Sequence, residues 1–132
     1  MPQPPLTVWI LGNQLLENHP ALKDAAASCE QDQIRVLMIE NQQLIQQRNP
    51  TPGKLILVLS AMRHYARSLE QAGFLVDYRQ ASTFSAGIRD HLQEHQPARL
   101  ITMAASDYQG RLLQEKTLPS RLPAPLTVLP NT

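Results

Sequence analysis

Short unbroken apolar runs alternate along this chain with longer stretches whose apolar residues recur every three or four positions. Leu6-Thr7-Val8-Trp9-Ile10-Leu11 is the first run, Ile34-Arg35-Val36-Leu37-Met38-Ile39 the second and Leu55-Ile56-Leu57-Val58-Leu59 the third. Phe74-Leu75-Val76-Asp77-Tyr78 is more alternating, and Leu100-Ile101-Thr102-Met103 and Leu126-Thr127-Val128-Leu129 complete the series. Runs of this length read as strands buried on both faces. Helical patterns lie between them. Ser60 is a good N-cap, after which Met62, Tyr65, Ala66 and Leu69 fall at i, i+3, i+4 and i+7, with Arg63, His64, Arg67, Glu70 and Gln71 on the other face. Gly73 stands where that helix should stop. Phe84, Ile88 and Leu92 form a second stripe ending before Pro97, a weaker helix interrupted by Gly110 covers Asp107 to Lys116, and a short one lies near Ala21 to Ala27. Pro50-Thr51-Pro52-Gly53 reads as a turn-rich loop before the third strand. Asn41-Gln42-Gln43 with Gln46-Gln47 reads as a solvated helix or loop. Pro119, Pro123, Pro125 and Pro130 crowd the last residues.

Strands alternating with helices predict an α/β fold: a doubly wound, mostly parallel sheet of Rossmann-like or flavodoxin-like type, about five or six strands with helices on both faces. In such sheets ligands bind beyond the carboxyl ends of the strands, where the strand order reverses. Two groups fall at that edge. Gly12-Asn13-Gln14 ends the first run, and Glu40 ends the second, beside Asn41. A glycine lets backbone approach a ligand, and amides offer both donors and acceptors. Adjacent strand ends point into one crevice, so Asn13 and Glu40 can face one ligand. From the tripeptide alone a plain turn into a helix is the simpler reading. For Glu40 a surface acid is an equal alternative.

Length and charge narrow the function classes. A chain of 132 residues suggests one domain with a real core. Its 12 basic and 11 acidic residues leave a net charge of +1, which gives no long-range attraction for a nucleic-acid backbone or an anionic membrane. The one cysteine, Cys29, excludes an internal disulfide and a Cys-rich metal or iron–sulfur site. The amino-terminal Met1-Pro2-Gln3-Pro4-Pro5 lacks a positive region, and the apolar run after it is too short for a signal or a membrane span, so a cytoplasmic location is the default expectation. No dinucleotide fingerprint, phosphate-binding loop or nucleophile elbow is present. His91 and His95 have the i, i+4 spacing of a metal pair, but no third ligand is evident in sequence, and a solvated helix face is the simpler reading.

A more specific signal lies in Ser60-Ala61-Met62-Arg63-His64-Tyr65-Ala66, continuing through Leu69, Gly73, Val76 and Tyr78. Together with Ile10-Leu11-Gly12-Asn13-Gln14-Leu15 and the strand ending in Glu40, it resembles the deoxyribodipyrimidine photolyase-related family, also described as iron–sulfur bacterial cryptochromes and photolyases. The resemblance covers essentially the whole chain and implies that residues 1–132 are an α/β antenna-type domain, the N-terminal part of a longer protein. FAD, the iron–sulfur cluster and the DNA-facing surface are then expected only in a following C-terminal helical domain, which would be this domain's partner. DNA would be met only through the full-length protein, and no membrane is involved. The fragment alone would catalyse nothing, whereas the full-length protein would repair photolesions as a photolyase-like lyase or signal in response to blue light.

The resemblance further implies a ribityl-lumazine antenna in this domain. Such a site needs an apolar slot with a few hydrogen bonds and no nucleophile, base or metal. Backbone at Leu11 and Gly12 would flank the ring, Asn13 and Gln14 would bind ring or hydroxyl groups, and Met38, Ile39 and Glu40 would form the facing wall. Three positions depart from the family pattern. Asn13 replaces a usual Asp, Arg48-Asn49-Pro50-Thr51-Pro52-Gly53 stands where many members carry Tyr and His, and Met103-Ala104-Ala105 is bland. A more open or differently capped pocket follows. The competing expectation is a structural or interaction domain with an empty crevice that docks on the helical flavin domain. A stand-alone nucleotide-binding regulator or small enzyme is disfavoured by the missing phosphate-binding glycines.

Overall fold

The structure, a computed structural model, describes residues 5–105, 108–118 and 125–130. Asp107 at the start of an expected helix, Pro119 and Pro123, and both ends of the chain, including Met1 to Pro4 and Asn131-Thr132, lie outside the described residues. Five parallel strands form one sheet: β1 (Leu6–Trp9), β2 (Ile34–Asn41), β3 (Leu75–Ala81), β4 (Arg99–Met103) and β5 (Leu126–Leu129), in the order β3-β2-β1-β4-β5. The helices are α1 (Pro20–Ser28), α2 (Gln42–Arg48), α3 (Pro52–Gln71), α4 (Phe84–His95) and α5 (Tyr108–Leu112), the last continuing into a π-helical turn over Leu113–Thr117. The chain builds outward from β1 to β3, then returns to the other side of β1 for β4 and β5. This is the doubly wound α/β fold, with the switch in strand order between β1 and β4.

Alternation along the strands sorts the core into two layers. Leu6, Val8, Ile10, Ile34, Val36 and Met38 pack under α1 and α3, against Ala21, Leu22, Ala25, Met62, Ala66 and Leu69. Trp9, Leu11, Leu37, Ile39 and Leu100 face the opposite side, against Ile88 and Leu92 of α4. Because both strand faces are covered, these strands need apolar residues at successive positions, which is why their sequences read as continuous runs. α4 lies close on this second face. A Cβ at Gly87 would sit 2.8 Å from Ile39 Cδ1 and 3.1 Å from its Cγ2, so the absence of a side chain there sets the helix-to-sheet distance.

One expected strand is a helix. Leu55 to Leu59 lies in the first half of α3, which runs unbroken for 20 residues. Thr51 rather than Ser60 is the N-cap, its hydroxyl accepting from the Lys54 N–H at 3.3 Å, and Pro52 occupies the first turn, where a missing N–H costs nothing. The supposed loop at Pro50 to Gly53 is therefore a helix start. Leu55, Val58, Leu59, Met62, Ala66 and Leu69 form one stripe at i, i+3, i+4, i+7, i+11 and i+14, and this longer period outranks the local apolar run. Ile56 and Leu57 lie off the stripe and are 65% and 70% exposed. Gly73 ends the segment with φ 102°, the left-handed region open to glycine. No helix among the described residues is long and apolar enough to cross a membrane.

α1 starts on an unusual cap. His19 is fully buried, and its Nδ1 accepts from the Ala21 N–H at 3.1 Å. Nε2 must then carry the proton, and it has no partner among the described residues. Burial pushes the imidazole down to about 4 from its ordinary 6.5. The unfolded chain therefore takes up a proton at His19 as pH falls through 6.5, while the folded chain resists until about 4. Stability falls across that window, by about 3 kcal/mol at most from this group. His95, held below its ordinary value by burial and by neighbouring Arg35 and His91, adds loss of the same sign. Urea titrations at pH 7 and pH 4.5 should show this fall, and His19→Asn, which keeps a capping oxygen, should reduce it without abolishing it.

Candidate functional site

Beyond the carboxyl ends of β2, β1 and β4 lies a cavity of about 430 Å³. Its floor comes from Trp9 at the end of β1 with Leu11, Gly12 and Asn13 just after it, and from Ile39, Glu40 and Asn41 at the end of β2. α3 supplies one wall through Leu55, Val58, Leu59 and Met62, four positions of its apolar stripe. Leu44, Ile45 and Arg48 of α2, with Pro50 and Lys54 at the α2–α3 corner, close a second side. Phe84, Ala105, Gly110, Leu113 and Gln114 complete it. Trp9 and Phe84 meet edge to face, with ring centroids 5.4 Å apart. The Trp9 indole N–H is buried and has no acceptor among the described residues. A buried donor left unpaired costs about 1–3 kcal/mol.

Glu40 is only 4% exposed and is already saturated. Arg63 donates twice, from Nε to Oε2 at 3.0 Å and from Nη2 to Oε1 at 3.2 Å. The Tyr78 hydroxyl donates to Oε2 and the Gln80 amide to Oε1 at 3.2 Å. A carboxylate offers about four lone-pair sites, and here the protein's own donors fill them. Register explains the convergence. Glu40 pairs with Gln80 and Met38 with Tyr78 across β2 and β3, so these side chains share the face that α3 covers. Burial alone would raise the Glu40 carboxyl. The hydrogen bonds from Arg63 and Tyr78 overcome that and hold it below its ordinary value.

The expected site residues divide into two groups. Leu11, Gly12, Asn13, Ile39 and Glu40 line the cavity together. Gln14 and Met38 do not. Met38 points to the same face as Glu40 but two residues deeper, where it packs within the core under α3. Gln14 turns away and donates to the Ala104 carbonyl at 3.0 Å, tying the loop after β1 to the end of β4. Glu40 forms part of the wall, yet its expected role as an acceptor for a ligand is taken by Arg63, Tyr78 and Gln80. The space a Cβ would occupy at Gly12 is held by Met62 Sδ, 2.9 Å away, so the glycine admits a side chain of α3 on that side.

Several functional groups escaped the sequence reading. Arg63 was expected only on the polar face of a helix, whereas it neutralises the buried Glu40. Gln114 is fully buried in the π-helical turn. Its Oε1 accepts from the Ala105 N–H at 2.8 Å and its Nε2 donates to the Met103 carbonyl at 3.0 Å, which fixes the turn over the end of β4. The apolar stripe of α3 carried a readable signal, had its period been followed upstream of Ser60.

A second polar cluster sits toward the amino ends of the strands. His91 was expected on a solvated helix face but is fully buried, because α4 packs it against β1 and β3. A carboxylate only accepts, so His91 Nδ1 donates to Asp77 Oδ2 at 2.6 Å; in the neutral ring Nε2 accepts from the Thr7 hydroxyl at 2.8 Å. Asp77 is the third ligand-type group beside His91 and His95, with ligand atoms of the three within 4.8 Å of one another. Arg35 nevertheless donates to the His95 ring and Arg79 to Asp77, placing two guanidinium charges where a dication would sit. Burial would raise the Asp77 carboxyl, but donors His91 and Arg79 bring it down to about 2. The cluster therefore acts as a lock between α4 and the sheet.

The Glu40 assembly predicts a measurable weakness. Tyr78→Phe removes one charge-assisted hydrogen bond and should cost about 1–2 kcal/mol at pH 7 by urea unfolding. A carboxylate with a depressed folded pKa stabilises above its unfolded value and loses that contribution as pH falls through its folded value. With one donor gone the folded value rises, so the acid unfolding midpoint of the variant should move to higher pH.

No match is found among curated proteins. The family model described as deoxyribodipyrimidine photo-lyase-related protein matches residues 8–132. That span contains every residue that lines the cavity, and it includes the Ser60 to Tyr78 segment singled out by sequence. The match extends over nearly all of the chain, which therefore belongs to the deoxyribodipyrimidine photolyase-related family.

Proposed function

We propose that this chain is the antenna-chromophore-binding, light-harvesting domain of a photolyase- or cryptochrome-like flavoprotein that serves DNA photorepair or blue-light sensing. The observation that carries the reading is the cavity of about 430 Å³ at the switch in strand order, apolar in most of its lining. That size falls in the range of small-molecule sites, and its placement follows the rule for open α/β sheets. The residues present fit a flat heterocycle such as ribityl-lumazine. Trp9, Phe84, Ile39 and Leu113 offer apolar and aromatic surface, and Asn13 lies among the lining residues with an amide side chain.

The bound chromophore would supply absorption of near-ultraviolet or blue light, and the domain's part is to hold it still. Apolar walls from α3 and α4 exclude water, and the Glu40–Arg63–Tyr78 assembly keeps the α3 wall at a fixed distance from the sheet. Energy passed through space asks for this rigidity and for no proton transfer by the protein. FAD and the iron–sulfur cluster belong, on this reading, to a C-terminal helical domain of the same protein, and DNA is reached through that part.

A second reading draws on the exposed Ile56 and Leu57 of α3. Two large apolar side chains beside the cavity mouth suit a docking surface for the helical domain, and a purely structural role would need nothing more. Titrating the purified chain into ribityl-lumazine and following fluorescence polarisation separates the two. Saturable binding that Val58→Asp abolishes is expected for the antenna role. Polarisation that stays flat at every concentration, with the chain folded by circular dichroism, would leave only the docking role standing.

A further inference from the structure

Polarity changes with depth in the cavity. The buried part of its lining is aliphatic and aromatic, with Trp9, Leu11, Ile39, Met62 and Ala105. Two buried polar side chains stand among them, Glu40 and Gln114, and both are spent on the protein's own groups. Arg63, Tyr78 and Gln80 fill the Glu40 carboxylate. Gln114 uses its oxygen on the Ala105 N–H and its amide N–H groups on the Met103 carbonyl and, at 3.5 Å, the Thr102 hydroxyl. Asn41, half-buried at the end of β2, caps α2, its Oδ1 accepting from the Leu44 N–H at 3.0 Å. The exposed polar members of the lining, Asn13, Arg48 and Lys54, stand at the rim, and the first two are engaged within the chain.

The geometry points to a ligand that enters apolar edge first: a fused heteroaromatic ring whose alkylated edge lies against the buried lining and whose hydrogen-bonding edge faces the mouth. This inference rests on the reading of the cavity as a chromophore site, and adds the class of ring it takes and the way round it sits. The opposite orientation would carry imide N–H and carbonyl groups away from water to a depth where the polar side chains already have their partners. An alkylated edge in the same place gains by leaving water. Heteroatoms at the mouth keep their hydration and ask nothing of Glu40 or Gln114. A lining of this kind selects by the size and shape of the apolar edge and is indifferent to the hydrogen-bond pattern of the far edge.

The test alters one edge of the ring at a time, in two ring systems so that ring preference cancels. Riboflavin and 6,7-dimethyl-8-ribityl-lumazine are each compared with the analogue lacking both ring methyls and with the analogue methylated at the imide nitrogen N3. Affinities for the purified chain are measured by fluorescence polarisation. In each ring system that binds, loss of the two methyls should weaken binding about tenfold, the worth of two methyl groups taken out of water. Methylation at N3 should change affinity by less than about threefold, because that edge stays hydrated and ungripped. A methyl effect below about threefold, or an N3 effect above it, would overturn the orientation and leave the chromophore reading in place. Failure of every compound to bind, with the chain folded by circular dichroism, would overturn both.

Discussion

The bidentate contact between Arg63 and Glu40 holds the working end of this molecule together. α3 is 20 residues long, but only its second half packs on the sheet through Met62, Ala66 and Leu69. The first half projects past the strand ends, where the sheet gives it little to rest on. Arg63 sits at the junction of these halves and reaches back to the last residues of β2. Tyr78 and Gln80 complete the carboxylate's coordination from β3. A buried charge without such partners would be strongly destabilising, so burial of Glu40 and docking of α3 stand or fall together. The cavity exists because a helix held in this way overhangs the sheet.

The two ends of the sheet use polar chemistry differently. Toward the amino ends, Thr7, His91, Asp77 and Arg79 form a bonded chain, and Arg35 bonds to His95 beside Asp77, which together lock α4 down. Toward the carboxyl ends, Gln14 and Gln114 satisfy backbone groups around the end of β4, and Glu40 is saturated by its neighbours. What remains at that end is mostly apolar surface. Rigid, mostly apolar surroundings suit a preorganised binding site. The family assignment agrees with this arrangement without specifying what the cavity holds.

Much of the fold was legible in sequence because its strands are buried on both faces. The runs at Leu6, Ile34, Leu100 and Leu126 had no competing period, and Gly73 and Pro97 marked boundaries through backbone geometry alone. The Leu55 to Leu59 run failed for a physical reason. Five successive apolar residues carry no period, and the helix they form is apolar on two sides, one toward the cavity and one toward solvent. Thr51 and Pro52 held the correct answer, since a capping hydroxyl before a proline starts a helix as readily as it ends a loop. The site was half legible. Adjacent strand ends brought Gly12 and Glu40 to one cavity, as the parallel pairing of β1 with β2 demands. The partners of Glu40 were not legible, because Arg63, Tyr78 and Gln80 are brought together only by strand register and by the angle of α3. The burial of His91 was hidden likewise, since its partner Asp77 lies on another element.

Trp9 is the only tryptophan in the chain, and it stands in the cavity wall against Phe84. Intrinsic indole emission from this protein therefore originates at a single point, with no second source elsewhere to dilute it. Its wavelength and lifetime are set by the polarity and mobility of that one chamber, so the molecule carries its own optical probe of whatever enters there.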